Sequence, residues 1–333
     1  MLILNESHLR AVLEMKEVIA AVEAGFRSLA RGDVRLPERL RLLIPERRAV
    51  MLEMPAYSRS LEYRNESTTE SALGTKIVSV FEQNGDRNLA VVQSAYLLLD
   101  AETGVPISLM DGRFITAIRT AATSAVATKF MAVREVKQLA IFGAGVQAQF
   151  HVDAMMAVAQ IERVMIASRT VEKSRALSGY VKTTYSTACE IVSPEEAASE
   201  ASLICTCTTS PGPLFNGDLP RRGTHINAVG AYTPTTRELD TKTIRRARVI
   251  IDSELAAGRE AGEILIPLAE GSIKPDHVKG ALADVVSGEV SGREPDDELT
   301  VFRSCGLAIE DLVTARLAYT RATAEGVGTE VSF

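Results

Sequence analysis

The hexapeptide Gly143-Ala144-Gly145-Val146-Gln147-Ala148 constrains this chain more than any other segment. It follows an apolar stretch, 136–142, that reads as a buried strand, and it opens 146–158, which reads as a helix. Gly143 permits a tight turn, Gly145 lets the backbone approach a pyrophosphate, and Ala148 keeps the helix close to the sheet. The unpaired N–H groups of the first helical turn then face the phosphates. Downstream, 163–169 reads as a strand and 172–180 as a helix. CEIVS (189–193), ASLICTCT (201–208), THINAVG (224–230) and ARVIIDS (247–253) read as further short strands. Alternation of this kind over 136–253 predicts a parallel sheet covered on both faces, carrying a dinucleotide.

The first third of the chain has a different period. Val18, Ile19, Val22, Phe26 and Leu29 recur at three- and four-residue steps, which predicts a helix over 17–30 closed by Gly32 and Asp33. The segments 39–45, 49–55, 74–84 and 90–100 read as strands, with turns at Asn84-Gly85-Asp86 and Thr103-Gly104. Their short connections predict a mostly antiparallel sheet, an α+β unit rather than a series of crossovers. The Ala/Thr-rich segment 115–132 reads as a helix whose small side chains let another backbone or a ligand come close. A chain of 333 residues is long enough for two such domains without disulfide or metal staples.

Charge and cysteine usage narrow the function. Thirty-seven Lys and Arg against 43 Asp and Glu leave a net charge of -6 with no long run of one sign, so no nucleic-acid surface is expected. Cys189, Cys205, Cys207 and Cys305 form no CxxC, and His8, His151, His225 and His277 form no HExxH, so no metal site is expected. The cysteines read as buried residues of a reducing compartment, and His225, inside an apparent strand, as a structural histidine. The N-terminal apolar stretch is too short for a signal peptide, and no long apolar run occurs, so a cytoplasmic protein with no membrane partner is expected. At the end of strand 163–169, Ser168, Arg169 and Thr170 stand where NAD-binding chains usually place an acid. A cation and hydroxyl donors without a carboxylate suit a 2′-phosphate, which favours NADPH; NADH is accepted as well if Arg169 faces solvent.

Six motifs then occur in order along nearly the whole chain. They are MPAYS (54–58), LGTKIVSVF (73–81), MDGRFITAIRTAATSAVATK (110–129), IFGAGVQAQFH (141–151), NAVGAYTPTTREL (227–239) and VFRSCGLAIEDLVTARLAY (301–319). In them the chain resembles the ornithine cyclodeaminase and mu-crystallin family. The resemblance implies an α/β protein with an NAD(P)-binding Rossmann domain, 119–310, and an α+β substrate-binding and dimerisation domain, 1–118 with 311–333. It implies a homodimer joined through the β-rich domain, and a substrate between the domains beside the nicotinamide.

The resemblance also implies site residues. Arg41, four residues before Pro45, matches the N-terminal substrate-binding arginine, with Arg39 a near alternative; Lys76 and Arg119 match the other cationic positions, and Asp311 a family acid. Arginines of this kind hold a carboxylate in one orientation, while a lysine near the reacting carbon supplies charge or a proton. Thr206, Thr208 and Val229 fall along the family's nucleotide edge; the thirdmost hydroxyl there is Thr209. Cys205 and Cys207 have no nearby His, and hydride transfer needs no thiol nucleophile. Where the cyclodeaminases carry an Asp for the ornithine amino group, this chain has Tyr232, and a phenol handles an ammonium poorly at neutral pH. The expected activity is therefore NAD(P)H-dependent reduction of small carboxylate-bearing cyclic ketimines, Δ1-pyrroline-2-carboxylate or Δ1-piperideine-2-carboxylate. The alternatives are an alanine or small amino-acid dehydrogenase, an ornithine cyclodeaminase, and a low-turnover NADPH- and ligand-binding protein.

Overall fold

The computed structural model describes residues 1–62 and 69–332. The chain opens with β1 (Leu2–Leu4), α1 (Glu6–Val12) and α2 (Met15–Ala30). There follow β2 (Val34–Arg35), β3 (Leu40–Ile44), β4 (Ala49–Glu62), β5 (Thr69–Phe81), β6 (Val92–Leu99) and β7 (Pro106–Asp111). The long helix α3 (Gly112–Met131) leads to β8 (Gln138–Phe142), α4 (Val146–Val158), β9 (Arg163–Ala167), α5 (Val171–Tyr185), β10 (Ala188–Ile191), α6 (Pro194–Glu200) and β11 (Leu203–Thr206). Next come β12 (His225–Ala228), α7 (Thr241–Arg246), β13 (Ala247–Ile251), α8 (Glu254–Glu260), α9 (Gly262–Ala269), β14 (Val278–Ala281), α10 (Leu282–Ser287) and β15 (Leu299–Arg303). The chain closes with α11 (Ala308–Glu325) and β16 (Thr329–Glu330).

These elements form two compact units, Met1–Arg119 with Leu307–Phe333, and Thr120–Gly306. The divisions expected at 118/119 and 310/311 lie one residue before and four residues after the observed ones, so Arg119 and 307–310 belong with the first unit. In that unit the sheet order is β16-β1-β7-β6-β5-β4-β2, with β3 also on β4. It is antiparallel except for β1 beside β7. Period-two alternation sends Met54, Ala56, Ala72, Lys76, Val78, Tyr96, Leu98 and Met110 to one face, where all are buried. On that face α11 packs against β4, β5 and β6, and α2 lies on α11 and β4. Gly25 lets α2 and α11 approach, because a Cβ there would stand 3.0 Å from Val313.

The second unit is an all-parallel sheet of order β10-β9-β8-β11-β12-β15-β13-β14. Its first five places follow the order of a Rossmann fold, and the order reverses between β8 and β11. Strands β8, β9, β11 and β13 carry near-continuous apolar runs such as Leu139–Phe142 and Val164–Ala167, all buried, as a sheet covered on both faces requires.

Candidate active site

The first unit buries two cations against two carboxylates. Lys76 lies on the inward face of β5, directly across the ladder from Met54 and Tyr96, and is 2% exposed. Asp311 stands in the first turn of α11, and its Oδ2 is 2.7 Å from Lys76 Nζ. Arg119, on α3, donates from Nε to Asp311 Oδ1 at 3.0 Å and from Nη1 to Glu310 Oε2 at 2.6 Å. Glu310 is itself fixed, since its Oε1 accepts the Leu307 N–H at 2.9 Å at the helix entrance. With all four groups ionised the cluster sums to zero.

Burial and the neighbouring Arg119 charge push the Lys76 ammonium down to about 8, against the partial restoring pull of Asp311 and Glu310. Burial opposes the Arg119 charge too, but Asp311 and Glu310 outweigh it and hold that guanidinium firmly protonated. Lys76 is thus a group that carries a proton at neutral pH and releases it easily. Two of the Arg119 nitrogens donate to Asp311 and Glu310, which makes the guanidinium the counter-charge of both acids.

Arg41 is exposed on β3, which pairs with β4 and is separated by it from β5; it stands opposite Leu52 and in the row of Val78, two residues along from Lys76. Continuing the β3 register by one residue puts the half-buried Arg39 opposite Met54, in the row of Lys76 itself. The backbone therefore favours Arg39 over Arg41 as the arginine nearer to Lys76.

In the second unit, the residues after β8 suit a pyrophosphate. Gly143 has φ +108°, and a Cβ there would stand 2.6 Å from the Cys207 carbonyl oxygen, so the position requires glycine. Gly145 caps α4 with open space where a side chain would stand, Ala144 is half-buried, Val146 is exposed, Gln147 is half-buried and Ala148 is fully buried. A tight turn, an open backbone approach and a helix N-terminus together fit a dinucleotide phosphate pair. Beyond β9, Ser168 is half-buried while Arg169 and Thr170 are exposed at the start of α5.

Two nucleotide-edge expectations need correction. The hydroxyls of Thr206 and Thr208 donate to the buried carboxylate of Glu238, at 2.7 Å each, instead of being turned outward as donors for a cofactor. Val229 continues β12, its N–H bonded to the Thr206 carbonyl at 3.2 Å. Tyr232 is 55% exposed just beyond it. Cys205 and Cys207 are poorly placed as nucleophiles: burial pushes the Cys205 thiol up to about 12 and raises the Cys207 thiol well above its ordinary value. His225 is buried with Nδ1 on Thr300 Oγ1 at 2.8 Å. Among the described residues, no group of three or more His, Cys, Asp or Glu side chains is placed to hold a metal ion, and no helix is long and apolar enough to cross a membrane.

A profile of the ornithine cyclodeaminase/mu-crystallin family matches residues 1–326. The chain belongs to this family. It is 34% identical to a Δ1-pyrroline-2-carboxylate reductase of Bacillus cereus over 335 aligned positions, covering all of both chains. The structure of Thermococcus litoralis Δ1-pyrroline-2-carboxylate reductase with NADH and L-proline superposes with a TM-score of 0.94 at 37% identity, over 99% of this chain and 100% of that one. An archaeal alanine dehydrogenase dimer with bound NAD gives a TM-score of 0.92 at 30% identity, over 100% and 99%.

Within this ornithine cyclodeaminase/mu-crystallin chain, the fold gathers Lys76, Arg119 and Asp311 from three distant elements, Arg119 and Asp311 alone being 192 residues apart. Glu310 and Glu238 escape a reading of the sequence. The one signal for Glu310 was a second acid beside Asp311 in the otherwise apolar run AIEDLV, an odd choice for a helix that docks on a sheet.

Proposed function

We propose that this protein reduces cyclic ketimines with a carboxylate on the imine carbon, Δ1-pyrroline-2-carboxylate to L-proline and Δ1-piperideine-2-carboxylate to L-pipecolate. It is an NAD(P)H-dependent oxidoreductase acting on CH–NH or CH–NH2 donors. The observation that carries the substrate reading is the neutral buried cluster in which Lys76 holds an easily released proton. A ketimine carboxylate that enters with its ring nitrogen unprotonated needs a proton there before hydride can add to the carbon, and Lys76 holds one. Full-length likeness to Δ1-pyrroline-2-carboxylate reductases supports the same class.

The reduced nicotinamide, when bound, supplies the hydride. Lys76 gives its Nζ proton to the imine nitrogen, which places positive charge beside the carbon that accepts hydride. The C=N π bond is replaced by one C–H and one N–H bond. Asp311 keeps Nζ in place, Arg119 is the counter-charge of Asp311 and Glu310, and Arg39 or Arg41 takes the substrate carboxylate. Gly143 to Gln147 hold the pyrophosphate, and Ser168, Arg169 and Thr170 favour NADPH over NADH. The protein works as a homodimer. Purified enzyme given NADPH with either ketimine, with pyruvate plus ammonia, or with ornithine tests the reading. Ketimine turnover at least tenfold above the others is expected; faster turnover of pyruvate plus ammonia makes it an amino-acid dehydrogenase, and none at all a binding protein.

A further inference from the structure

The second unit buries a carboxylate that this chemistry does not use. Glu238 is fully buried, and four donors converge on it. Oε2 accepts from Thr206 Oγ1 and from the Gly230 N–H, each at 2.7 Å, while Oε1 accepts from the Thr208 N–H and Thr208 Oγ1, each at 2.7 Å. These donors lie at the end of β11 and in the two loops that follow β11 and β12. A carboxylate pays a large desolvation cost to stand there, and the four bonds offset it only while both loops keep this shape.

The arrangement is closed from every side. A Cβ on Gly230 would collide with the Thr208 carbonyl and meet Glu238 Oε1 at 2.6 Å. Behind the carboxylate, the Glu238 N–H donates to Glu263 Oε1 at 2.8 Å, and buried Arg303 donates to Glu263 Oε2 at 2.7 Å and to the Ala228 carbonyl at 3.2 Å. The β11 loop also abuts the glycine loop: the Cys207 N–H donates to the Phe142 carbonyl at 2.8 Å, and the Cys207 carbonyl lies against Gly143.

Three loops thus stand side by side at the carboxyl ends of β8, β11 and β12, where the strand order reverses and ligands of open parallel sheets bind. If the glycine loop takes the pyrophosphate, the adenosine half runs toward Ser168 to Thr170 after β9, and the other half runs toward β11 and β12. We infer that Glu238 is a positioning residue for the nicotinamide half of the dinucleotide, locking the two loops that receive it. The inference rests on the dinucleotide reading of this unit and is independent of the substrate.

Glu238→Gln keeps the volume but sets an amide NH2 against one of the donor groups. Calorimetric titration of wild type and variant with NADH, NADPH and ADP-ribose, which lacks nicotinamide, is the test. NADH and NADPH should weaken at least tenfold while ADP-ribose changes less than twofold. Thr208→Val, which removes one hydroxyl and leaves Glu238 in place, should shift the same ratio in the same direction by a smaller factor, and it decides the matter if Glu238→Gln does not fold. Equal weakening of all three ligands, or unchanged NADH binding, overturns the inference. Failure of all three to bind the wild type would instead overturn the dinucleotide reading.

Discussion

Lys76 and Arg119 sit where an isolated charge is least tolerable, and each is there only because Asp311 and Glu310 are. Arg119→Ala removes the guanidinium that faces both buried carboxylates, and should cost about 3–5 kcal/mol of stability, read by urea unfolding. A loss near that of an ordinary surface substitution, under about 0.5 kcal/mol, would mean that the guanidinium does not balance them. Arg169 is the opposite kind of residue, exposed and unhindered at the end of β9. Arg169→Ala should weaken NADPH by about 1–3 kcal/mol and leave NADH nearly unchanged, as titration of both cofactors will show. Equal losses would show that Arg169 does not read the 2′-phosphate. These residues differ in how far the sequence reveals them. Gly143 and Arg169 act through their immediate neighbours, so a local motif exposes them. Glu238 gains its meaning from Thr206 and Thr208, some thirty residues upstream, and Arg119 from Asp311, 192 residues away, and no local pattern carries either pairing.

At the scale of elements, strong periodicity is what made the fold readable. The alternation in β4, β5 and β6 and the apolar runs of β8, β9, β11 and β13 overlap the segments expected of them. Among the strands that went unread, β1 has three residues and pairs in parallel with β7, β16 has two and pairs with β1, and β15 interrupts the numerical order between β12 and β13. β15 reads Leu-Thr-Val-Phe-Arg with no alternation between buried and exposed positions, since both of its faces are covered. The loop between β8 and α4 is the element on which the cofactor reading depends. Gly143→Ala forces a side chain into a left-handed backbone against the Cys207 carbonyl, and should weaken NADPH and NADH binding alike by at least about 1–3 kcal/mol. Unchanged binding by calorimetry would place the pyrophosphate elsewhere.

The whole molecule turns on a sheet with one face left open within its own unit. Opposite the buried residues of β4 to β7, Ile77 is 44% exposed and Leu73, Leu97, Leu99, Ile107 and Leu109 are half-buried, with Leu40 and Leu42 of β3 exposed on the same side. An apolar face of this kind is what a second copy covers. Light scattering at micromolar concentration should give about twice the 35.9 kDa chain mass, and Ile77→Lys with Leu42→Lys should halve it; a monomeric wild type contradicts the dimer. Assembly, cofactor and charge cluster meet in one central claim, that Lys76 delivers the proton as hydride reduces a cyclic ketimine. Its most direct test is the single-turnover rate of NADPH oxidation by Δ1-pyrroline-2-carboxylate, followed across pH for wild type and Lys76→Met. Because the ammonium is the competent form and titrates at about 8, the wild-type rate should be full below that pH and fall above it, while the variant should be at least about a hundredfold slower with that limb gone. A variant that keeps the wild-type rate and the same fall above pH 8 would remove Lys76 from the chemistry.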